Sequence, residues 1–171
     1  MWPIGDPEPV GVRLPGQASV RSGPKCSFMV KLSTVTLHLL PGTVIERGQH
    51  WTIATNLNQN LIGRLIVVAA RDVDSVTALS PGEWQDLHRH VGRTRVALDA
   101  LFQPDQYNYA FLMNQDAQVH VHVVPRYAQP RQWAGETYVD PHFGSIFGTE
   151  QRTLGTQRLA NLAGQVRQHL L

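Results

Sequence analysis

The sequence predicts an α+β domain with a mainly antiparallel sheet, and the order of its apolar patterns supports this class. Several short strand-like runs come first, one long amphipathic helix follows, and two more strands precede a helix at the C-terminal end. Strands that follow one another without intervening helices favour antiparallel pairing in a layered domain. The length of 171 residues corresponds to one such domain.

The first half of the chain contains four short strand-like runs. In the first of them, Val35, Leu37 and Leu39 alternate with polar residues, which is the period of a half-buried strand. The last run follows a polar loop that begins at Asn56, and its continuous apolar residues are typical of a central strand. The predicted strands cover residues 33–40, 43–47, 50–55 and 63–68.

A helix is predicted to begin after Ser80. The run Ser80-Pro81-Gly82-Glu83 places a hydroxyl at the N-cap, proline at the first helical position and glutamate at the third, which is a capping box. Apolar residues then recur at intervals of three, four and seven residues as far as Phe102. The helix is expected to end there, because Gln103-Pro104 breaks the pattern.

Two strands and a second helix complete the predicted domain. The two strands are expected to pair as a hairpin through a short polar link. They cover residues 107–113 and 118–126, and the link covers residues 114–117. Residues 128–150 are rich in aromatic residues and glycine and show no regular period. Apolar residues at helical spacing from Leu159 to Leu170 predict an amphipathic C-terminal helix.

The N-terminal segment differs in composition from the rest. Residues 1–24 hold five prolines and four glycines, which interrupt regular structure too often for a helix or strand. We therefore expect an extended arm over residues 1–24 and a folded domain over residues 25–171.

Composition and charge exclude several classes of protein. Hydrophobic residues make up 42% of the chain, which is enough for a core, and the net charge of +2 is too small to predict nucleic-acid binding. Cys26 is the single cysteine, so an intrachain disulfide and a cysteine-rich zinc site are excluded. No apolar run approaches the length of a membrane span, and Met1–Pro7 does not resemble a secretion signal. We expect a cytoplasmic protein without membrane contact.

The segment from Gln118 to Arg126 is the candidate for chemistry. Side chains alternate between the two faces of a strand, so Gln118, His120 and His122 form a polar row and the intervening valines an apolar one. Two neighbouring imidazoles can divide nucleophilic attack and hydrogen bonding between them. A surface strand that carries two histidines by chance, or a pair of metal ligands, would give the same pattern.

This segment resembles the signature of the histidine triad superfamily of nucleotide hydrolases and transferases, His-φ-His-φ-His-φ-φ, often followed by Pro-Arg. The run from His120 to Arg126 matches it, with Gln118 in place of the first histidine. A bacterial branch of the superfamily has the spacing seen here for Asn114, Gln118, His120, His122 and Arg126.

Earlier residues extend the resemblance to about residues 30–127. Gly63-Arg64, preceded by Asn56, resembles a strand that opens with Gly-His after a ribose-binding asparagine. The run from Leu79 to Glu83 resembles the sequence motif that precedes the family's main helix. The resemblance implies a five-stranded, mainly antiparallel sheet with one main helix and a C-terminal helix.

The resemblance also implies a mechanism and a set of site residues. His120 would attack the α-phosphorus of a nucleotide to form a nucleotidyl-histidine, which water or another acceptor then resolves. His122 would contact the phosphate, and Gln118 would hydrogen-bond at the same edge. The remaining contacts would be Asn114 to a phosphate oxygen, Asn56 to the ribose, and Arg64 and Arg126 as cations that attract phosphate. From the residues alone, Arg126 at the end of a strand could equally be a solvated arginine.

The implied substrates are dinucleoside polyphosphates, nucleoside phosphoramidates or related nucleotide conjugates, and the covalent step requires no metal or cofactor. Members of this family are commonly homodimers, so we expect a second copy as partner. Two alternatives stay open. One is a nucleotide sensor with little turnover, because Gln118 cannot take up a proton. The other is a metal-dependent enzyme that uses His120 and His122 as ligands.

Overall fold

The computed structural model describes residues 39–170, and these form a five-stranded sheet with two helices and a small hairpin. The arm over residues 1–24, Cys26 and most of the strand expected over residues 33–40 lie outside the described residues. The strands are β1 (Val44–Arg47), β2 (Trp51–Thr55), β3 (Leu65–Ala69), β4 (Gln106–Ala110), β5 (His120–Arg126), β6 (Arg131–Trp133) and β7 (Glu136–Tyr138). The helices are α1 (Pro81–Phe102) and α2 (Thr156–Gln168), and a single 3-10 turn covers Val76–Ala78.

The sheet has the strand order β1-β2-β3-β5-β4, and every neighbouring pair is antiparallel. The predicted fold class, a mainly antiparallel α+β domain, is confirmed. β3 lies at the centre, as its continuous apolar sequence predicts, and all five of its residues are buried. The C-terminal part of the first predicted strand, Leu39 and Leu40, is in a turn.

Helix α1 begins where its capping box predicts. The Ser80 hydroxyl accepts a hydrogen bond from the Glu83 backbone N–H at 3.3 Å, and the Glu83 carboxylate accepts one from the Ser80 N–H at 2.7 Å. The helix ends at Phe102, and Gln103 adopts a left-handed conformation as the C-cap. Its buried face packs on the sheet together with α2, so both helices cover one side.

The hairpin prediction is right about pairing and wrong about length. β4 pairs with β5, but it ends at Ala110, and β5 begins at His120, so the connection covers residues 111–119. A second hairpin, β6–β7, lies within residues 128–150, where no period was evident. Its strands have three residues each, which is too short for an alternation to show.

The two faces of the sheet differ in what covers them. The alternate valines of β5 point into the main core under the helices. The opposite face carries a small cluster of Ala54, Ile66 and Val68, beside which the histidines lie. Across residues 39–170, no helix is both long enough and apolar enough to cross a bilayer.

Candidate active site

The strand β5 places its two histidines side by side on the face away from the main core. His122 lies opposite Ile66 of β3, and His120 lies opposite Val68. The ring centroids are 5.0 Å apart and the ring planes meet at 79°. Alternation along one strand therefore brings both imidazoles to one place, as the sequence predicts.

Backbone contacts determine which nitrogen of His120 is available for chemistry. Its Nδ1 lies 2.8 Å from the carbonyl oxygen of Gln118. A carbonyl only accepts hydrogen bonds, so Nδ1 carries the proton and donates it. The neutral ring therefore has its lone pair on Nε2, and His120 itself is 6% exposed beside the cavity. This is the tautomer that a nucleophilic histidine needs.

His122 is held by Asn56, and the orientation of the amide follows from a second contact. The Asn56 Oδ1 accepts a hydrogen bond from the Asn58 backbone N–H at 2.9 Å. The Asn56 Nδ2 therefore faces His122 Nδ1, 3.2 Å away, and donates to it. Because Nδ1 accepts, the proton of the neutral ring is on Nε2, which can donate to an oxygen of a bound group.

A cavity of about 460 Å³ lies next to the two imidazoles. Ligand pockets for small molecules commonly measure roughly 300–1,000 Å³, so this one has the size for a mononucleotide. Its lining residues are Asn56, Leu57, Asn58, Arg64, Ile66, Leu112, Asn114, Gln115, Asp116, His120, His122, Phe147, Thr149, Gln151 and Thr153. Three predicted binding residues, Asn56, Arg64 and Asn114, line the cavity together with the two histidines.

One wall of the cavity comes from residues 147–153, which we call the strap. It is docked by side-chain amides of the loop that follows β2. Asn58 Nδ2 donates to the Glu150 carbonyl at 2.9 Å, and Asn60 Nδ2 donates to the Gly148 carbonyl at 3.2 Å. The Arg152 N–H donates back to Asn58 Oδ1 at 3.0 Å. No regular pattern in the sequence marks the strap, and the one signal for its docking was the asparagines at alternate positions of the loop after β2.

Arg64 lies in the cavity wall as a buried cation. It is 6% exposed, its Nη1 donates to Asn60 Oδ1 at 2.6 Å, and its Nε has no hydrogen-bond partner among the described residues. Burial lowers the pKa of the guanidinium to about 10, and the group stays charged at neutral pH. The ring centroid of Phe147 is 5.6 Å from its Cζ.

Arg126 lies neither in solvent nor among the residues that line the cavity, the two places that the sequence suggests for it. Its guanidinium is instead buried and fully hydrogen-bonded. Asp140 accepts from Nε at 2.6 Å and from Nη2 at 3.1 Å. The other acceptors are Asn108 Oδ1 and the carbonyls of Ser145 and His142. With five donors used, Arg126 ties β5 to the segment that leads into the strap.

Gln118 also differs from its expected placement. Its Nε2 donates to the Ala69 carbonyl at 2.8 Å, and the residue is not among those that line the cavity. Gln118 thus supports His120 through its backbone carbonyl and joins β3 to the start of β5. Asn114 lies at the cavity with an exposed side chain. In residues 39–170, no three His, Cys, Asp or Glu side chains are arranged to hold a metal ion.

Several solved structures described as histidine triad proteins have an architecture similar to that of this chain. A histidine triad protein of Bradyrhizobium japonicum shares 19% identity and superposes with a TM-score of 0.57, over 75% of this chain and 90% of that chain. A protein of Sulfolobus tokodaii described as a hypothetical histidine triad nucleotide-binding protein shares 10% identity with a TM-score of 0.60, over 80% of this chain and 89% of that chain. A diadenosine triphosphate hydrolase of Plasmodium falciparum shares 13% identity with a TM-score of 0.55, over 75% and 76%.

The chain has the histidine triad fold, and the fold that the motif resemblance implies is confirmed. No model of a protein family and no curated protein matches the sequence. At identities of 10–19%, the likeness establishes the fold, while activity must be argued from the site.

Proposed function

We propose that this protein is a nucleotide hydrolase or nucleotidyltransferase that attacks an α-phosphate through His120. The observation that carries the proposal is the contact between His120 Nδ1 and the Gln118 carbonyl, because it leaves an unprotonated Nε2 beside a cavity of mononucleotide size. The nucleotide-related histidine triad structures with the same fold support this function class.

In the first step, His120 Nε2 forms a bond to the α-phosphorus, and the bond from phosphorus to the leaving group breaks. The leaving group departs with the bonding electrons. His122 donates its Nε2 proton as a hydrogen bond to a non-bridging oxygen, where charge accumulates. In the second step, the oxygen of water or of another acceptor forms a bond to the phosphorus and releases its proton to solvent. The N–P bond breaks, and its electrons return to Nε2 as the lone pair of the imidazole.

The substrates that we propose are dinucleoside polyphosphates, nucleoside phosphoramidates and related conjugates. Asn56, Asn114 and Arg64 surround the cavity and would bind the nucleotide part. Gln118 is engaged with the Ala69 carbonyl and has no titrating group, so the leaving group takes its proton from water. Apart from water or another acceptor, the reaction as proposed uses only groups of the chain. A single cysteine is consistent with a cytoplasmic setting.

A fluorogenic adenosine phosphoramidate tests the proposal. The wild-type protein should release the fluorophore, and His120→Ala should reduce turnover to the uncatalysed rate. The matched control is His88→Ala, since His88 is exposed on α1 and lies outside the cavity. Absence of turnover in the wild type, or full turnover in His120→Ala, would contradict the proposed chemistry.

A nucleotide sensor is the second candidate, and the placement of Gln118 favours it. No titrating group replaces the first histidine of the motif, so Gln118 cannot protonate the leaving group. A leaving group that cannot depart without such a proton would stay attached, and the protein would bind the nucleotide without turnover. Tight AMP binding measured by calorimetry, with no release of the fluorophore, would identify the protein as a sensor.

We also propose a homodimer that joins two copies through β4. This strand lies at one end of the sheet formed by the described residues, and several exposed apolar side chains accompany it. They are Trp84, Tyr109, Phe111 and Leu112. Sedimentation velocity should give twice the chain mass of 19.1 kDa, and Tyr109→Arg with Phe111→Arg should give the monomer. Ile146→Arg, at another exposed apolar residue, is the control.

A further inference from the structure

Arg64 is a buried cation that has no carboxylate partner among the described residues. Other arginines here form ion pairs, such as Arg71 with Glu83, Arg93 with Glu46 and Arg126 with Asp140. Among the described residues, Arg64 has one side-chain hydrogen-bond partner, the neutral amide oxygen of Asn60. Burying a charge without an opposite charge costs free energy, and an anion bound in the cavity would offset that cost.

The amide of Asn60 cannot be reoriented to change this arrangement. Its Nδ2 donates to the Gly148 carbonyl of the strap, which turns Oδ1 towards Arg64 Nη1. The guanidinium is thus fixed in the cavity wall, and Nε lacks a partner among residues 39–170. A planar guanidinium held in this way is suited to bidentate contacts with phosphate.

The register of the sheet places Arg64 relative to the proposed nucleophile. His120 lies opposite Val68 and His122 opposite Ile66. Arg64 immediately precedes β3 and lines the cavity together with Ile66, two residues further along the chain. Alternate residues on an extended chain are about 6.6 Å apart. Arg64 is therefore on the far side of His122 from His120. A nucleotide whose α-phosphorus meets His120 would extend its sugar past His122 towards Arg64.

We propose that Arg64 binds a second phosphate, carried by the 2′ or 3′ hydroxyl of the ribose, and that the preferred substrates are conjugates of nucleoside bisphosphates. This inference rests on the proposed function, because it takes the α-phosphate to be at His120. A base offers Arg64 only neutral acceptors, whereas a ribose phosphate supplies the missing negative charge. Phe147, beside the guanidinium, offers its ring as a wall for the base.

Calorimetry on the full chain tests the proposal with four nucleotides. Adenosine 2′,5′-bisphosphate and adenosine 3′,5′-bisphosphate carry the second phosphate on the ribose, AMP lacks it, and ADP carries it on the 5′ side. One of the two bisphosphates should bind at least about tenfold more tightly than both AMP and ADP. The better of the two identifies the ribose position that faces Arg64.

Variants at Arg64 show whether this residue causes the preference. In Arg64→Gln, the ratio of bisphosphate affinity to AMP affinity should fall to about one, and Arg64→Lys should restore part of it. Arg95→Gln, at an exposed arginine on α1, should keep the wild-type ratio. Equal binding of AMP and both bisphosphates by the wild type, or an unchanged ratio in Arg64→Gln, would overturn the proposal.

The same data separate this proposal from the proposed function. If His120-dependent turnover is observed but the ribose phosphate brings no gain in affinity, the role of Arg64 is wrong and the chemistry stands. If none of the four nucleotides binds, both proposals are wrong.

Discussion

Replacing Arg126 with methionine should destabilise the fold strongly, because the substitution leaves a buried carboxylate without its cation. The side chains of Arg126 and Asp140 are 2% and 1% exposed, and two hydrogen bonds of 2.6 and 3.1 Å join them. Removing one partner of such a buried pair costs about 3–5 kcal/mol. At roughly 2–4 °C per kcal/mol for a chain of this size, Arg126→Met should lower Tm by about 6–20 °C.

The loss of Tm caused by Arg126→Met should become smaller at acidic pH. Burial acts most strongly on Asp140 and raises its pKa, but hydrogen bonds from Arg126 and from the Tyr127 and His142 backbone N–H groups together hold the pKa below its ordinary value of 3.8. A carboxyl group with a lowered pKa stabilises the fold at neutral pH and ceases to do so as the pH falls through the folded-state pKa. Without Arg126, burial raises the pKa of Asp140, so the variant takes up the proton at a higher pH than the wild type does. The difference in Tm between wild type and Arg126→Met should therefore begin to narrow above pH 3.8 and be smallest below the folded-state pKa of the wild type.

Differential scanning fluorimetry with two further variants completes this test. Arg95→Met, at an exposed ion pair with Asp99, should cost less than about 1 kcal/mol. The double variant with Arg126→Met and Asp140→Leu should recover part of the loss, since no charge is then left buried. A Tm for Arg126→Met within about 2 °C of wild type would refute the reasoning about this pair.

Three further substitutions test other parts of the structure. Asn56→Ala removes the hydrogen bond to His122 and should lower kcat/KM about 2- to 13-fold. Circular dichroism should show unchanged secondary structure, and an unchanged kcat/KM would contradict this role of Asn56. Hydrogen bonds, foremost from Arg71 and then from the Ser80 N–H, lower the pKa of Glu83 to about 2, so the ionised carboxylate should stabilise the fold at pH 7. The Tm deficit of Glu83→Gln should therefore vanish as the pH falls from about 4.5 to 2, and a deficit that stays constant with pH would contradict this contribution. Gly63→Ala should lower the free energy of unfolding in urea by more than about 1 kcal/mol, because φ is +87° and the new Cβ would lie 3.0 Å from an aromatic ring of α1. Gly92→Ala, with open space around its Cβ, should raise the free energy of unfolding, and equal effects of the two variants would contradict this expectation.

Local sequence signals predicted the elements that position the histidines. The capping box at Ser80 and the alternation through His120 and His122 depend on neighbours within a few residues, and the structure has both. The faces of β5 follow from the same alternation, because a strand with one apolar row has one way to bury it.

Contacts between distant segments were beyond the reach of the sequence patterns. Arg126 was expected to be near phosphate or in solvent, but its partner Asp140 is 14 residues away with no periodicity to connect them. The strap is likewise held by hydrogen bonds from Asn58 and Asn60 to backbone carbonyls about 90 residues away. Every residue has a backbone carbonyl, so the sequence of the strap does not mark it as their partner. These long-range contacts complete the cavity wall.

The central claim is that His120 forms a covalent bond to the α-phosphorus, and trapping that bond tests it most directly. The wild-type protein would be mixed with an adenosine phosphoramidate, denatured within the first turnovers and digested for mass spectrometry. If His120 is the nucleophile, the digest should contain an adenylyl group on His120, and His120→Ala should carry no such adduct. Turnover with the adduct on another residue, or an adduct that persists in His120→Ala, would contradict the account.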